Sequence, residues 1–525
     1  MSKILIIRPL RQRNLQIDLV FVMIGLKTSH SGALGHIGAQ KPFDPSATAD
    51  AVLRSSDSVD FFIIKLLLCL VSPVFSDMLS SNHTCASEDE TRNGLPVIPV
   101  TESSETLHCL LLLIYPPYVS ASEPVLLIGD LCRVAEAAQK YCMDCIEDKI
   151  RKTVITSGLL EEHAFRVYVS ALHVGWTDIA ATAALNSLKT PLSDLPSVEE
   201  LRIISGADFY YYLTYRFKHE KHARGEGEEP KLTFASEESP MAANEQPSTL
   251  IPTDVPSPFG QTAKTNAILR SSDDVDFYVN KSFLSYLSPV FEELFANGDG
   301  VLSETDERGN NSSVFIVEED SDSLYGLLCF LHPYADEPSI KDLKLYPKIW
   351  TAAQHYEVIF ITQRLEQSFL SHPFIQKEPL RAFAISINLN WAKASKASAM
   401  ETLTGPLSDM KYADELRLIT GADLYRLIEY RFECANVVRL LLDQLDERAR
   451  KGSSFVRYTA AVKPKLLECP RGIGMMKADD DLVKTAGVGS DIKSVLCYLL
   501  EYRRVMAPVI DEIVSKVRHF SLSPY

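Results

Sequence analysis

Two short clusters combine residue types that can bind metal or carry out redox chemistry. Cys142 and Cys145 form a C-x-x-C pair, and His219, Glu220 and His222 lie within four positions. A structural zinc site needs a second ligand pair, and a zinc-peptidase helix needs its two histidines four residues apart. The sequence meets neither condition. We therefore expect two core cysteines on a helix and a solvated charged segment beside a linker.

Signatures of other enzyme classes are also missing from the sequence. It contains no phosphate-binding GxxxxGK[ST], no GxSxG nucleophile turn and no GxGxxG following a strand. The acidic groups at 318–320 and 479–481 are typical of solvated turns, because acid–base catalysis needs a partner in a cleft. We expect no enzyme, no cofactor and no metal site.

Composition narrows the class of partner and the compartment. The 525 residues are 46% hydrophobic and 23% charged, with a formal net charge of -16. Such a charge disfavours binding to nucleic acid or to an acidic membrane surface. The ten cysteines lie mostly in apolar runs, for example Cys69, Cys109, Cys329 and Cys497. This pattern is typical of reduced, buried thiols and predicts a cytoplasmic or nuclear protein.

An internal repeat organises most of the chain, which is too long for one hydrophobic core. Residues 51–75 match residues 267–291 without a gap, with 15 identities in 25 positions. Further matches keep nearly the same offset, including Trp176 with Trp391 and the Gly-Ala-Asp sequences that begin at Gly206 and Gly421. The sequence therefore predicts two copies of about 167 residues, each the size of a normal domain.

Each copy is predicted to begin with a β-hairpin and to end in helices. Alternating apolar residues at 275–280 indicate a strand, and Ser288-Pro289 suits the start of a helix. Another strand is expected at 95–100, matched at 314–317, and helices follow. We expect Gly206 to end one helix in the left-handed conformation while Asp208 caps the next, and the same device in copy 2.

The order of these elements and motifs resembles the BTB (POZ) domain family, twice in one chain. The matching features are a hairpin with "LRSSD" and "VDF", then Lys, a Leu-rich helix, "SPVF", a third strand and "AAQxY". The extensions carrying "ELR", "GADxY" and "YRF" are similar to those of BTB proteins common in mushroom-type fungi. The sequence departs from the family where Ile64 and Asn280 replace the usual His before the helix. The Asp at the first strand is kept as Asp50 but replaced by Asn266.

The resemblance implies an α+β fold with small sheets on helical bundles, each followed by a helical extension, and a helical C-terminal region. The predicted segments are 1–48 as a flexible extension, 49–155 and 264–370 as BTB-like domains, 156–217 and 371–432 as helical extensions, 218–263 as an acidic Pro-rich linker and 433–525 as the helical C-terminal region. Residues 1–45 remain open between a targeting segment and a loose extension. Within 433–525, helices are expected at 434–449 and from Ser490 on, with a kink at Pro508.

The resemblance also implies protein binding, because family members mostly dimerise through the first helix and the N-terminal strand. The expected core and dimer-helix residues are Phe61, Leu68, Phe75, Phe277, Leu284 and Phe291. Some members use an apolar-x-Glu motif after the Ser-Pro helix to bind a cullin. Leu302, Ser303 and Glu304 match that motif in copy 2, whereas copy 1 offers only the weaker segment that begins at Cys85.

We therefore expect an interaction scaffold whose two BTB domains pair with each other, as a pseudo-twofold dimer, or with another BTB protein. The extensions and the C-terminal region would then be free to hold partners. A substrate adaptor of a cullin-based ubiquitin ligase and a transcriptional co-regulator are the alternatives. Trp176 and Trp391 are expected to pack in the core, and the aromatic run Phe209–Tyr212 is either core cover or an interaction surface.

Overall fold

A computed structural model describes residues 37–80, 91–116, 129–195, 199–226, 228–235, 255–260, 265–297, 302–305, 311–449, 454–476 and 492–517. The chain divides into two compact units. Unit 1 comprises residues 1–125 and 137–147, and unit 2 comprises residues 126–136 and 148–525. The predicted α+β class is confirmed, with small sheets among many helices. In the part of the chain that is described, no helix combines the length and the apolar character needed to cross a membrane.

The first copy begins with a five-stranded sheet in the order β1-β3-β2-β5-β4. Its strands are β1 (Ile37–Gly38), β2 (Ala51–Arg54), β3 (Val59–Ile63), β4 (Thr91–Arg92) and β5 (Leu95–Pro99). The helices are α1 (Lys65–Val71), α2 (Pro73–Ser80), α3 (Ser104–Ile114), α4 (Leu131–Lys140), α5 (Asp144–Thr156), α6 (Leu159–Glu162), α7 (Ala164–Val174), α8 (Thr177–Ser187) and α9 (Gly206–Ala223), with 3-10 turns at Leu192–Asp194 and Glu199–Arg202. The predicted opening hairpin is β2–β3, which pairs antiparallel.

The second copy repeats this order with a four-stranded sheet, β7-β6-β9-β8, among the described residues. Its strands are β6 (Ala267–Arg270), β7 (Asp276–Val279), β8 (Leu302–Thr305) and β9 (Asn311–Ile316). The helices are α10 (Lys281–Leu287), α11 (Pro289–Asn297), α12 (Ser321–Leu331), α13 (Leu345–His355), α14 (Thr362–Ser371), α15 (Phe374–Lys377), α16 (Pro379–Asn388), α17 (Ala392–Thr402) and α18 (Gly421–Arg448), with 3-10 turns at Ile359–Ile361, Leu407–Asp409 and Asp414–Leu418. The C-terminal region adds α19 (Ser454–Glu468), α20 (Gly472–Met476) and α21 (Ile492–Ser515).

The serine of each "SPVF" motif joins two parts of the domain. In copy 1 the Ser72 hydroxyl accepts from the Phe75 backbone N–H at 3.0 Å and donates to the Tyr141 carbonyl at 2.6 Å. The Phe75 ring also stacks on Tyr141 at 4.4 Å. Ser288 repeats both hydrogen bonds in copy 2. Both motifs therefore fix the second helix of the domain against the "AAQxY" helix, and the predicted helix start at Ser288-Pro289 is confirmed.

The charged residues of the opening motif are also structural. Arg54 on β2 forms an ion pair with Asp60 on β3 at 2.7 Å, and the Asp60 side chain is fully buried. The Asp57 carboxylate accepts the backbone N–H of Ser104 at 2.8 Å, which ties the hairpin turn to the start of α3. Burial tends to raise the pKa of Asp57, but hydrogen bonds from Ser104 and Ser55 outweigh it and lower the pKa. The charged residues of "LRSSD" thus stabilise the hairpin and its contact with α3.

The domain boundaries differ from the predicted ones at the N-terminal side of each copy. Phe43 is fully buried although it falls within the predicted flexible extension 1–48, and Phe259 is only 4% exposed although it falls within the predicted linker 218–263. The carbonyl of Phe43 accepts the N–H of Phe62, and that of Phe259 accepts the N–H of Tyr278. The reason is that one phenylalanine at the matched position of each copy completes a sheet core.

The predicted ends of the two extensions also differ from the structure. α9 continues to Ala223, and the following segment packs through Phe234 and Ala235, whose carbonyl accepts a hydrogen bond from Arg417 at 2.8 Å. α18 continues without interruption from Gly421 to Arg448, so residues 434–448 are helical as predicted, but they share one helix with the end of the second extension. This one helix belongs to both the extension and the C-terminal region. It continues because its buried apolar face extends beyond Phe432 through Val438 and Leu442.

Candidate protein-interaction surfaces

The three residues predicted to contact a cullin lie on the edge strand β8, not in a loop. Their backbone pairs with β9, in the register Leu302 with Val314 and Glu304 with Ser312. The side chains of β8 are outside the described part of the structure, and so is the copy 1 segment 81–90 that contains Cys85. Binding through Leu302, Ser303 and Glu304 therefore stays a prediction.

The six residues predicted for the core and the dimer helix are all core residues. Their exposed fractions are 2% or less in every case, namely for Phe61, Leu68, Phe75, Phe277, Leu284 and Phe291. Of these, Leu68 and Leu284 lie on the first helices, as their buried residues, and offer no surface to a partner. A partner of this helix must contact other residues.

Two leucines on the outer face of α1 provide that surface. Leu66 is 63% exposed and Leu70 is 72% exposed. They are four residues apart and therefore lie on the same side of the helix. Sequence reasoning missed them because nearly every position of α1 is apolar, so the pattern gave no way to tell the buried side from the exposed one. Adjacent exposed leucines on a short helix are typical of an interaction surface.

The corresponding helix of copy 2, α10, presents a more polar surface. Ser282 stands where copy 1 has Leu66, and Tyr286 stands where it has Leu70. Tyr286 is 87% exposed. The first helices of the two copies are therefore not chemically equivalent, and we expect them to prefer different partners.

The two helical extensions contact each other within unit 2 through a reciprocal set of hydrogen bonds, which we call the extension joint. The N–H of Gly206 donates to the carbonyl of Ile419 and the N–H of Gly421 donates to the carbonyl of Ile204, both at 2.8 Å. Ser205 and Thr420 form an antiparallel bridge between these two pairs. Because each contact is repeated with the copies exchanged, the joint has local pseudo-twofold symmetry.

The glycines of the "GADxY" motif have a different role from the predicted one. Ser205 and Thr420 are the N-caps, and the following aspartates, Asp208 and Asp423, complete capping boxes as the third helical residues. Gly206 is the first residue of its helix, not a left-handed terminator. A Cβ at Gly206 would lie 2.8 Å from the Leu416 carbonyl oxygen, so glycine is needed for the close approach of the two copies.

Aromatic side chains surround the extension joint. The Tyr210 hydroxyl donates to the Met410 carbonyl at 2.7 Å, and the Tyr425 hydroxyl donates to the Leu195 carbonyl, which repeats the contact with the copies exchanged. The Phe209 and Tyr425 rings lie 6.0 Å apart. Burial raises the pKa of Tyr425 to about 12. The aromatic run therefore packs between the extensions, so they are engaged with each other rather than wholly free for partners as expected.

The buried arginine of each "YRF" motif anchors the end of a neighbouring helix. Arg216 donates to the carbonyls of Ser187 at 3.0 Å and Thr190 at 2.6 Å, at the C-terminus of α8. Arg431 does the same for Thr402 and Gly405, and it also donates to the Glu468 carbonyl at 3.0 Å. Burial lowers the pKa of Arg431 to about 10. Helix termini leave carbonyls unpaired, and these arginines satisfy them.

The prediction of core packing agrees with the structure for the two tryptophans but not for the CxxC pair. Trp176 and Trp391 are each 3% exposed and pack in the core, as predicted. The prediction of core cysteines at Cys142 and Cys145 is wrong, because both are exposed. Cys142 lies in the turn before α5 and has a positive φ of 51°. Within the described ranges, no cluster of three or more metal-ligand side chains occurs.

Comparison with known proteins supports the architecture built from these elements. A BTB/POZ domain family model matches residues 39–158 and 258–372. These matches include Phe43 and Phe259, in agreement with the buried positions of both rings. None of the curated proteins compared matches the chain. BTB/POZ domains are protein-interaction modules and not catalytic domains. The chain thus carries two BTB/POZ domains, one in each copy.

Proposed function

We propose that this protein is a non-enzymatic interaction scaffold that binds another BTB domain through the exposed face of α1. The observation that carries the proposal is the exposure of Leu66 and Leu70 on that helix, at 63% and 72%. The chain's own extension joint uses other residues, near Gly206 and Gly421. The α1 face and the extension joint therefore consist of different residues.

The energetics favour a symmetric partner, a second copy of this chain being the simplest. Complete burial of one leucine side chain contributes about 1.5–3 kcal/mol, and a twofold contact between two α1 helices would cover four leucines. As Leu66 and Leu70 are already about one-third buried, the four contribute about 4–8 kcal/mol. Association costs at least about 4 kcal/mol, so further contacts are needed and we expect affinity in the micromolar range.

Differences between the copies suggest separate roles for the two BTB domains. Ser282 and Tyr286 make the outer face of α10 less apolar than that of α1. We propose that the first domain supports self-association and the second binds a different protein. The nine described cysteines are free thiols, which supports a cytoplasmic or nuclear location.

Sedimentation velocity of the full chain from 1 to 100 µM tests the proposal. The wild type is expected to show a concentration-dependent monomer–dimer equilibrium, and the double variant Leu66→Asp/Leu70→Asp is expected to remain monomeric. The matched control Ser282→Asp/Tyr286→Asp changes the same positions of α10 and should dimerise as the wild type does. A monomeric wild type at every concentration would contradict the proposal.

A further inference from the structure

The second BTB domain contains an aromatic cleft beside the start of α10. Its volume is about 430 Å³, within the range of small-ligand sites. Its lining includes Phe259, Tyr278, Asn280, Phe283, His332 and Tyr334. None of the residues that line the cleft carries a carboxylate, an ammonium or a guanidinium group. Burial lowers the pKa of His332, so the cleft is uncharged at neutral pH.

The first BTB domain fills the equivalent position with one of its own side chains. Tyr115 follows α3 directly, as His332 follows α12. The Tyr115 hydroxyl accepts a hydrogen bond from the backbone N–H of Ile64 at 2.8 Å. Tyr115 is only 7% exposed, and its ring packs edge-on against the Phe43 ring, with the two ring centroids 5.0 Å apart. Copy 1 therefore shows that this niche of the fold accommodates a phenol oxygen.

Copy 2 has the same niche, here the space between the residue after α12 and the start of α10, but no phenol oxygen occupies it. The His332 ring lies against Phe259 at 5.6 Å in the same edge-on arrangement, but an imidazole has no hydroxyl at its far end. Its Nδ1 accepts from the N–H of Tyr334 at 3.3 Å. The N–H of Asn280, at the position of Ile64, has no hydrogen-bond partner among the described residues. The cleft thus combines aromatic walls with a backbone donor that is open to a ligand.

We propose that this cleft binds the side chain of a tyrosine supplied by a partner protein, with the phenol oxygen accepting from the N–H of Asn280. The ring centroids of Phe283 and Tyr334, which both line the cleft, lie 5.7 and 6.1 Å from that of His332, and Tyr334 is 90% exposed. An uncharged cleft excludes a phosphorylated tyrosine, because a dianion would be buried without a counter-charge. This inference deepens the proposed scaffold function by assigning a ligand class to the second BTB domain.

Ligand-observed NMR on the full chain tests the inference with defined probes. N-acetyltyrosine amide is expected to bind saturably with a dissociation constant on the order of a millimolar, because few atoms make contact. N-acetylphenylalanine amide should bind about 3- to 10-fold more weakly, since it lacks one hydrogen-bonding oxygen. The O-phosphorylated tyrosine amide should show no saturable binding at 10 mM. Equal binding of the tyrosine and phenylalanine probes, or no binding of either, would overturn the proposal.

A single substitution transfers the copy 1 arrangement to copy 2. His332→Tyr is expected to fill the niche and weaken binding of the tyrosine probe at least tenfold. The control His222→Tyr adds a tyrosine on the exposed end of α9 and should leave binding unchanged. If both variants bind as the wild type does, the site is elsewhere. If His332→Tyr does not fold, the relative affinities of the wild-type chain for the tyrosine and phenylalanine probes still test the proposal.

Binding of free 4-methylphenol distinguishes a partner's tyrosine from a small phenolic ligand as the occupant of the cleft. Binding of both 4-methylphenol and the tyrosine amide supports a partner's tyrosine, whereas binding of 4-methylphenol alone overturns it in favour of a small phenolic ligand. Neither result depends on Leu66 and Leu70, which lie in the first BTB domain. Failure of the tyrosine site and failure of the proposed self-association are therefore distinguishable.

Discussion

Replacing Gly206 with alanine should open the extension joint. The new Cβ would lie 2.8 Å from both the Leu416 carbonyl oxygen and the Ile419 Cγ1, closer than real Cβ contacts come. The backbone oxygen cannot rotate away as a flexible side chain would, so the two strands at the joint must separate. Separation lengthens the Gly206–Ile419 and Gly421–Ile204 hydrogen bonds, which are 2.8 Å each.

The size of the effect follows from these contacts. Two backbone hydrogen bonds contribute about 1 kcal/mol each, and overpacking costs about 1–3 kcal/mol. Alanine recovers up to about 1 kcal/mol of helix propensity relative to glycine. The net destabilisation of the joint is therefore about 2–4 kcal/mol, equivalent to about a 30- to 900-fold increase in its opening constant.

Hydrogen–deuterium exchange of the full chain measures this opening locally. Peptides containing residues 206 and 421 should both lose protection in Gly206→Ala, because each amide donates across the same joint. Gly405→Ala is the matched control, because a Cβ there meets nothing within 4 Å. Unchanged protection at residue 421 in Gly206→Ala, or an equal loss in Gly405→Ala, would refute the assignment of Gly206 to a contact between the copies.

Three further predictions concern the core, the buried tyrosines and the helix anchors. Leu284→Ala, at a residue 2% exposed, should cost about 2–5 kcal/mol in denaturant unfolding of its domain, whereas the exposed Tyr286→Ala should be neutral; equal effects would contradict the core assignment. Burial raises the pKa of Tyr346 and Tyr425 to about 12, so the folded state resists an ionisation that the unfolded chain undergoes near pH 10. Stability should therefore be unaffected by these groups below pH 10 and fall as pH rises toward 12, so that circular dichroism is lost as the last fraction of phenolate absorbance, that of the buried tyrosines, appears; ionisation of every tyrosine with a midpoint near pH 10 and with circular dichroism intact would contradict it. Arg431→Met should cost about 2–4 kcal/mol in thermal or denaturant unfolding, because three helix-end carbonyls lose their donor; an unchanged unfolding midpoint would show that water replaces the guanidinium.

The repeat and its motifs allowed much of the fold to be predicted. A steady offset identified two copies, and the Ser-Pro helix starts follow from local capping chemistry that sequence displays directly. Phe43 and Phe259 were missed as domain residues because single apolar residues among polar ones carry no periodic signal. Their burial depends on pairing with a strand that lies close by only in the folded domain.

The interaction surfaces were harder to predict than the fold. The extension joint depends on Gly206 and Gly421. From the sequence alone, a glycine needed for a tight turn cannot be distinguished from one needed for a close approach between helices. The sequence does not show that Leu66 and Leu70 are exposed while Leu68 is buried. Nearly every residue of α1 is apolar, so only the packing beneath the helix determines which leucines are buried. The niche at His332 became visible only by comparing two folded copies of one domain.

The most direct test of the scaffold proposal is site-specific photo-cross-linking from α1. A benzoylphenylalanine placed at position 66 of the full chain should cross-link, on irradiation, to α1 of a second chain. Mass spectrometry should then find the linked peptide within residues 65–71, and the same probe at position 282 should give no such product. Cross-links confined to a single chain, or a linked second chain that is attached away from α1, would contradict self-association through Leu66 and Leu70.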